Sequence, residues 1–173
     1  MLALLCALAH ANPTPAAIEA IEAHWTATQT ARTEGQLYAL SLDFNPEQRM
    51  FAAVGTYSET VTCHRAVPPE QPYPGPTAVL ITVAHTVAAR EYRSEYLYDM
   101  EGVLMLAHHS SAEMGVWSAH WDGDTLLSMK HGDDHFALEP LPPQAQQLHA
   151  FGVAAQQTCQ QLHALGGSWR DVD

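Results

Sequence analysis

Two histidines and two aspartates lie within five consecutive residues in the last third of the chain. The segment reads His131-Gly132-Asp133-Asp134-His135. Imidazole nitrogens and carboxylate oxygens both bind zinc, and on a helix a spacing of four residues places two imidazoles on the same face. His131, Asp133 and His135 are therefore candidate ligands for a divalent metal ion, either in a surface site or in a metalloenzyme.

The same five residues also fit a polar turn that binds no metal. They resemble the inverted zinc-peptidase pattern His-x-x-Glu-His, but Asp134 stands where that pattern has glutamate. Gly132-Asp133 is typical of a turn after a strand, and a turn would break the helical geometry. The sequence also contains no Gly-x-Ser-x-Gly nucleophile elbow and no Cys-x-x-Cys pair. It therefore identifies no catalytic residue, and it leaves the cofactor as none or a divalent metal.

Three further histidines lie on predicted strands. His108 and His109 are on one strand, and His120 is on the strand that should be its neighbour. A cross-strand pair of imidazoles can come within ligand distance of one metal ion. The alternative is that these side chains face solvent singly.

Aromatic residues share faces of the same predicted strands. In the core they would contribute packing, and on an exposed face they would form a patch that binds a carbohydrate or a protein. These residues are Trp117 and Trp121 on one strand, and Tyr96 and Tyr98 on another.

Helical spacing at both ends of the chain predicts one helix before a sheet and one after it. Pro15 opens the first helix, which carries Ile18 and Trp25 on its buried face and ends near Ala31. The second helix begins after Pro142 and shows an apolar stripe that includes Cys159; it stops at Gly166-Gly167. The short segments between them, rich in β-branched and aromatic residues and separated by Gly- and Asp-containing turns, predict antiparallel strands at 36–44, 49–54, 56–63, 77–87, 91–99, 103–109, 115–121 and 125–130.

These elements predict an α+β fold in a single domain, residues 12–173. We expect an N-terminal helix, an antiparallel β-meander of roughly six to eight strands, and a C-terminal helix packed on one sheet face. Two amphipathic helices suffice to cover one face, which would leave the other free.

The charge balance argues against a nucleic-acid partner, and the apolar runs are too short for a membrane span. The chain has 173 residues with 7 Lys and Arg against 19 Asp and Glu, a net charge of −12 with neutral histidine. Nucleic-acid affinity depends on neutralising phosphates with basic side chains, so we expect no nucleic-acid partner. No stretch approaches the ~20 apolar residues that a membrane span needs, so we expect no membrane span.

The N-terminus has the pattern of a secretory signal peptide. Residues 1–8 are apolar, and the Ala9-His10-Ala11 motif that follows is typical of a cleavage site. We expect cleavage after Ala11 and a periplasmic or extracellular location. The basic residues that usually precede the apolar run are missing, so the true start can lie upstream of Met1.

Cysteine usage supports the same compartment. Removal of residues 1–11 removes Cys6 and leaves Cys63 and Cys159. An even number of cysteines in an oxidising compartment favours a disulfide, and Cys159 on the core face of a helix can meet Cys63 on a strand. Two separate buried thiols are the alternative.

The middle of the chain resembles a known kind of hairpin. The stretch Glu95-Tyr-Leu-Tyr-Asp99-Met-Glu-Gly102-Val-Leu-Met-Leu106, continued by Trp121-Asp-Gly-Asp-Thr-Leu-Leu127, is similar to the hairpin repeats of uncharacterised secreted or periplasmic bacterial proteins. In those proteins a tyrosine-rich strand leads into an Asp-x-Asp/Glu-Gly turn, and a helix lies on either side of the meander. The resemblance implies the fold and the compartment and transfers no catalytic residues.

Together these features predict an exported, non-enzymatic binding or interaction protein. In this interpretation an uncovered sheet face, including Trp117 and Trp121, contacts a protein partner or a small ligand. The alternatives are a metal-binding protein or metalloenzyme that uses the His131–His135 segment, and a small-molecule carrier with a cavity between sheet and helices. Buried aromatic side chains around such a cavity would favour the carrier, and converging imidazoles would favour the metal site.

Overall fold

Helix α1 (Pro15–Thr33) begins at the proline that the sequence indicates. It opens the part of the chain described by this computed structural model, which comprises residues 15–53, 55–67 and 74–167. The predicted signal segment, residues 1–11, lies outside the described residues. In the described ranges no helix is both long and apolar enough to cross a membrane.

Nine strands in the described ranges form one antiparallel sheet, followed by helix α2 (Pro143–Gly167). Strand order follows the chain from β3 to β9, with β1 and the two-residue β2 both paired to β3. The hairpin turns contain glycines with positive φ, including Gly102 (87°) and Gly123 (57°). Residues other than glycine rarely adopt a positive φ. The strands are β1 (Leu37–Phe44), β2 (Met50–Phe51), β3 (Gly55–Ala66), β4 (Leu80–Val87), β5 (Arg90–Tyr98), β6 (Leu104–Ser111), β7 (Gly115–Asp122), β8 (Thr125–His131) and β9 (Asp134–His135).

The two helices lie on opposite faces of the sheet, which corrects the expectation that both cover one face. Alternate residues of β5 show the arrangement, since Leu97 packs in a cluster with Ile21 of α1. Its neighbours Tyr96 and Tyr98 pack in the cluster that includes Leu148 of α2. Successive strand residues point to opposite faces, so the sheet forms the middle of three layers. We call its two sides the α1 face and the α2 face.

Helix α2 is fixed to the sheet by a stripe of contacts along its length. The Tyr98 hydroxyl donates a hydrogen bond to the Gly152 carbonyl (2.7 Å), and Gln156 Nε2 donates to the Ala78 carbonyl (3.1 Å). One turn further, Cys159 forms a disulfide with Cys63 of β3. The predicted disulfide is therefore present. It joins residues 96 positions apart, and a cross-link of this kind typically stabilises a fold by about 2–4 kcal/mol.

Candidate functional site

The register of the sheet aligns the side chains of the α2 face in rows across the strands. Burial decreases from one row to the next with distance from α2. The inner row is fully buried and comprises Cys63, Ile81, Tyr96, Ala107, Ala119 and Met129. The middle row comprises Val61, Val83, Ser94, His109, Trp117 and His131. The outer row comprises Phe44, Glu59, His85 and Tyr92.

Helix α2 covers the inner row and leaves the middle and outer rows open along its side. The space between them is a groove of about 690 Å³. The opposite wall is formed by a row of α2 side chains that lies next to the row by which α2 contacts the sheet. We call this space the α2 groove. It is lined by Phe44, Glu59, Val61, Val83, His85, Tyr92, Ser94, Tyr96, His109, Met114, Trp117, Gln144, Gln147, Leu148, Phe151, Ala154, Ala155 and Thr158.

Large apolar side chains remain exposed inside the α2 groove. Phe151 is 53% exposed although it lies on the wall that faces the sheet, and Phe44 and Met114 at the rim are 43% and 45% exposed. Exposed apolar surface gathered in a concave site marks a binding site, because an occupant would remove it from water. The α2 groove therefore has the shape and the surface of a binding site for an apolar molecule.

Aromatic and imidazole rings stack along the floor of the groove. His85 stacks on Tyr92 with ring centroids 4.8 Å apart, and Tyr92 in turn stacks on His109 at 6.3 Å. On the neighbouring strands Trp117 stacks on His131 at 4.2 Å. These contacts fix the positions of Tyr92, His85, His109 and Trp117, which line the groove.

A small number of polar groups interrupt this apolar surface. The buried Ser94 hydroxyl lies 2.9 Å from His109 Nδ1. Burial, and after it the nearby His85, lowers the pKa of His109, so its imidazole is neutral at pH 7. A hydroxyl and a neutral imidazole can each donate and accept hydrogen bonds, which suits them to orient a ligand.

Glu59 brings a carboxylate to the outer row. It lies between Phe44 of β1 and His85 of β4, which are its cross-strand partners. The Tyr57 hydroxyl donates a hydrogen bond to Glu59 Oε2. Burial, and after it this hydrogen bond, raises the pKa of Tyr57 to about 12, so Tyr57 remains a donor. A carboxylate accepts several hydrogen bonds, so Glu59 can still accept one from a ligand.

The predicted metal ligands lie in a β-hairpin and not on a helix. His131 pairs with Asp134, and Lys130 pairs with His135, with Gly132-Asp133 in the turn. His131 and His135 therefore point to opposite faces of the sheet. In the described part of the chain, no three His, Cys, Asp or Glu side chains are grouped so that they could hold a metal ion.

The remaining predicted histidines divide between the two faces. His109 faces the α2 groove, whereas His108 and His120 lie on the α1 face. His120 Nε2 is 2.6 Å from Glu22 Oε1 of α1, and His108 Nδ1 is 2.7 Å from Ser118 Oγ. These contacts pair each imidazole with a different partner beneath α1.

The structure also separates the two tryptophans of β7. Trp117 lines the α2 groove, but Trp121 is 2% exposed and packs beneath α2 against His149, with ring centroids 4.6 Å apart. The expectation that both tryptophans lie on an uncovered face is therefore wrong for Trp121. Because α2 crosses only part of this face, one tryptophan is in the core and the other is at the edge of the open area.

Comparison with known proteins identifies no relative of this chain. No family model, no curated protein and no solved structure matches it.

Two groove residues, Glu59 and His85, were not singled out by the sequence. They lie on different strands, and the strand register brings them together. The alternation of side chains along β5 could have identified Tyr92, because Tyr92 lies on the same face of the strand as Tyr96.

Proposed function

We propose that this protein is an exported, non-enzymatic binding protein that carries a small, largely apolar molecule in the α2 groove. The observation that carries the proposal is the groove itself, a space of about 690 Å³ with apolar side chains exposed inside it. Small-molecule sites are clefts of roughly 300–1,000 Å³ lined mainly by apolar and aromatic side chains with a few polar groups. The α2 groove matches this description in size and composition.

Export is the second part of the proposal. The Cys63–Cys159 disulfide fits an oxidising compartment, and residues 1–11 have the pattern of a cleaved signal peptide. The resemblance to secreted or periplasmic bacterial proteins supports the same location. The intact mass of the exported protein should correspond to a chain that starts at Asn12. A mass that retains residues 1–11 would contradict cleavage at this site.

Binding in the groove can be tested with an uncharged fluorescent probe, N-phenyl-1-naphthylamine. We expect saturable binding of one probe per protein. Phe151→Ser should weaken it about tenfold or more, because a buried aromatic contact contributes roughly 1.5–3 kcal/mol and 1.4 kcal/mol corresponds to a factor of ten. The fold should persist, since Phe151 is half exposed.

Val153→Ser is the matched control for this experiment. Val153 is also an exposed apolar residue of α2, but it does not line the groove. We expect its affinity for the probe to equal that of the wild type. Absence of saturable binding to the wild type, or equal losses in the two variants, would contradict the proposal.

A further inference from the structure

Among the described residues that line the α2 groove, the acidic and the lysine or arginine side chains are not balanced. Glu59 is the single acidic side chain among the described residues that line it, and no lysine or arginine of the described ranges does so. The described arginines pair elsewhere: Arg32 and Arg93 with Glu95, Arg49 with Glu47, Arg90 with Glu113, and Arg65 with the Cys159 carbonyl. Among the described residues, a carboxylate or phosphate in the groove would therefore find no lysine or arginine, whereas a cation would find Glu59.

Aromatic rings stand next to this carboxylate. Phe44 is the cross-strand neighbour of Glu59 on one side, and His85, stacked on Tyr92, is its neighbour on the other. Phe44 is 43% exposed, so its ring is accessible to a ligand. A positive charge over an aromatic face is attracted by the ring quadrupole, and this attraction adds to the ion pair. The outer row thus combines the two features that recognise an organic ammonium group.

The rest of the groove fits the remainder of such a molecule. Beyond Glu59 the floor continues through Val61 and Val83 to Trp117, and Phe151 lies on the opposite wall. This surface accommodates a hydrocarbon chain or a ring system. The net charge of −12 also attracts cations to the protein and repels anions.

We propose that the ligand of the α2 groove is a hydrophobic amine, with its ammonium group on Glu59 and its apolar body between the middle row and Phe151. This inference rests on the proposed binding function and specifies the class of ligand. It requires no chemical change in the ligand.

The test compares three molecules with the same hydrocarbon chain and different head groups. Dodecylamine is a cation at neutral pH, dodecanol is uncharged and dodecanoate is an anion. Each competes with N-phenyl-1-naphthylamine below its critical micelle concentration. We expect the amine to bind about tenfold more tightly than the alcohol, as a charge-assisted hydrogen bond allows, and the anion to bind most weakly.

Glu59→Gln should remove the preference for the amine over dodecanol, because the ammonium group loses the carboxylate that it would pair with. Glutamine keeps an acceptor for the Tyr57 hydroxyl, so the variant is expected to fold. Glu91→Gln is the matched control, because it removes the same charge from an exposed residue of β5 that does not line the groove. The control should retain the preference for the amine.

Each other outcome has a distinct meaning. Equal affinities for the three molecules, or tightest binding of dodecanoate, would overturn the amine assignment while N-phenyl-1-naphthylamine binding still supports the groove. A preference for the amine that Glu91→Gln abolishes as fully as Glu59→Gln would show attraction by net charge alone and would also overturn it. If the fluorescent probe itself does not bind the wild type, the binding function and the ligand class both fail.

Discussion

Trp117 and Trp121 share the α2 face of β7, but their surroundings differ. Trp121 is 2% exposed beneath α2, and Trp117 is half-buried at the floor of the groove. Trp121→Ser should lower the free energy of unfolding by about 3–5 kcal/mol, the usual loss when a large buried side chain is truncated. Trp117→Ser should lower it by roughly 1–2 kcal/mol, because part of that ring already contacts solvent. Urea unfolding followed by circular dichroism measures both, and equal losses would contradict the placement of α2.

Buried histidines should make the stability of this protein depend on pH. Burial lowers the pKa of His64, His108 and His120, although the Glu22 carboxylate acts in the opposite direction on the last two. Lys130 also lowers the pKa of His120. The folded protein therefore binds protons more weakly than the unfolded chain, whose histidines titrate near pH 6.5. The histidine contribution to stability is complete above pH 6.5 and is lost as the pH falls below it.

Urea unfolding at pH 7.5 and pH 5.5 tests this pH dependence. We expect a lower free energy of unfolding at pH 5.5, where most carboxylates remain charged. His120→Gln should reduce the difference between the two pH values, whatever its effect on stability at pH 7.5. His135→Gln, which removes an exposed imidazole, should leave the difference unchanged. A difference of the same size in the wild type and in His120→Gln would contradict the role of His120.

Sequence reasoning at the level of single residues succeeded where the signal was local. The count of cysteines without the predicted signal segment, and the face of α2 on which Cys159 lies, favoured the Cys63–Cys159 pairing that the structure contains. The spacing of His131 and His135 was ambiguous, because four residues bring two side chains together on a helix and separate them in a hairpin. The sequence could not indicate Glu59 as a site residue. Its neighbour His85 lies on a different strand, and the register between the two strands, which brings them together, is not visible in the sequence.

Helix α2 lies close to the sheet at Gly152. A Cβ atom at this position would lie 2.8 Å from Leu104 Cδ2 and 3.2 Å from Tyr96 Cδ1. Gly152→Ala should therefore destabilise the protein by about 1–2 kcal/mol, because overpacking outweighs the gain in helix propensity. Ala150→Gly, at an exposed position of α2, measures the difference in helix propensity between alanine and glycine alone. We expect it to lower the free energy of unfolding by about 0.5–1 kcal/mol. A net stabilisation by Gly152→Ala in urea unfolding would show that α2 is not held so close.

The elements themselves were largely predictable, but their arrangement was not. Both helices and eight of the nine strands matched segments that the sequence indicates, because prolines, glycines and apolar periodicity mark their ends. The two-residue strand β9 was missed because it is too short to show a pattern. The placement of the helices on opposite faces had a signal in the unbroken apolar run of Tyr96-Leu97-Tyr98, which is typical of a strand buried on both sides.

At the scale of the whole molecule, the three layers explain why a groove exists. The disulfide and the hydrogen bonds to Gly152 and Gln156 hold α2 over the inner row of the α2 face. The helix covers only part of that face, so the middle and outer rows remain open beside it. An acidic protein whose apolar groove is lined, among the described residues, by one acidic side chain is suited to take up a molecule that is apolar and positively charged.

Native mass spectrometry of the exported protein, purified without detergent or chelator, tests the central claim most directly. The account predicts a chain that starts at Asn12 and carries one small organic molecule, which Phe151→Ser loses and Val153→Ser retains. A bare chain that also fails to take up N-phenyl-1-naphthylamine would contradict it. So would an adduct with the mass of a metal ion that disappears when His131 and His135 are replaced by alanine.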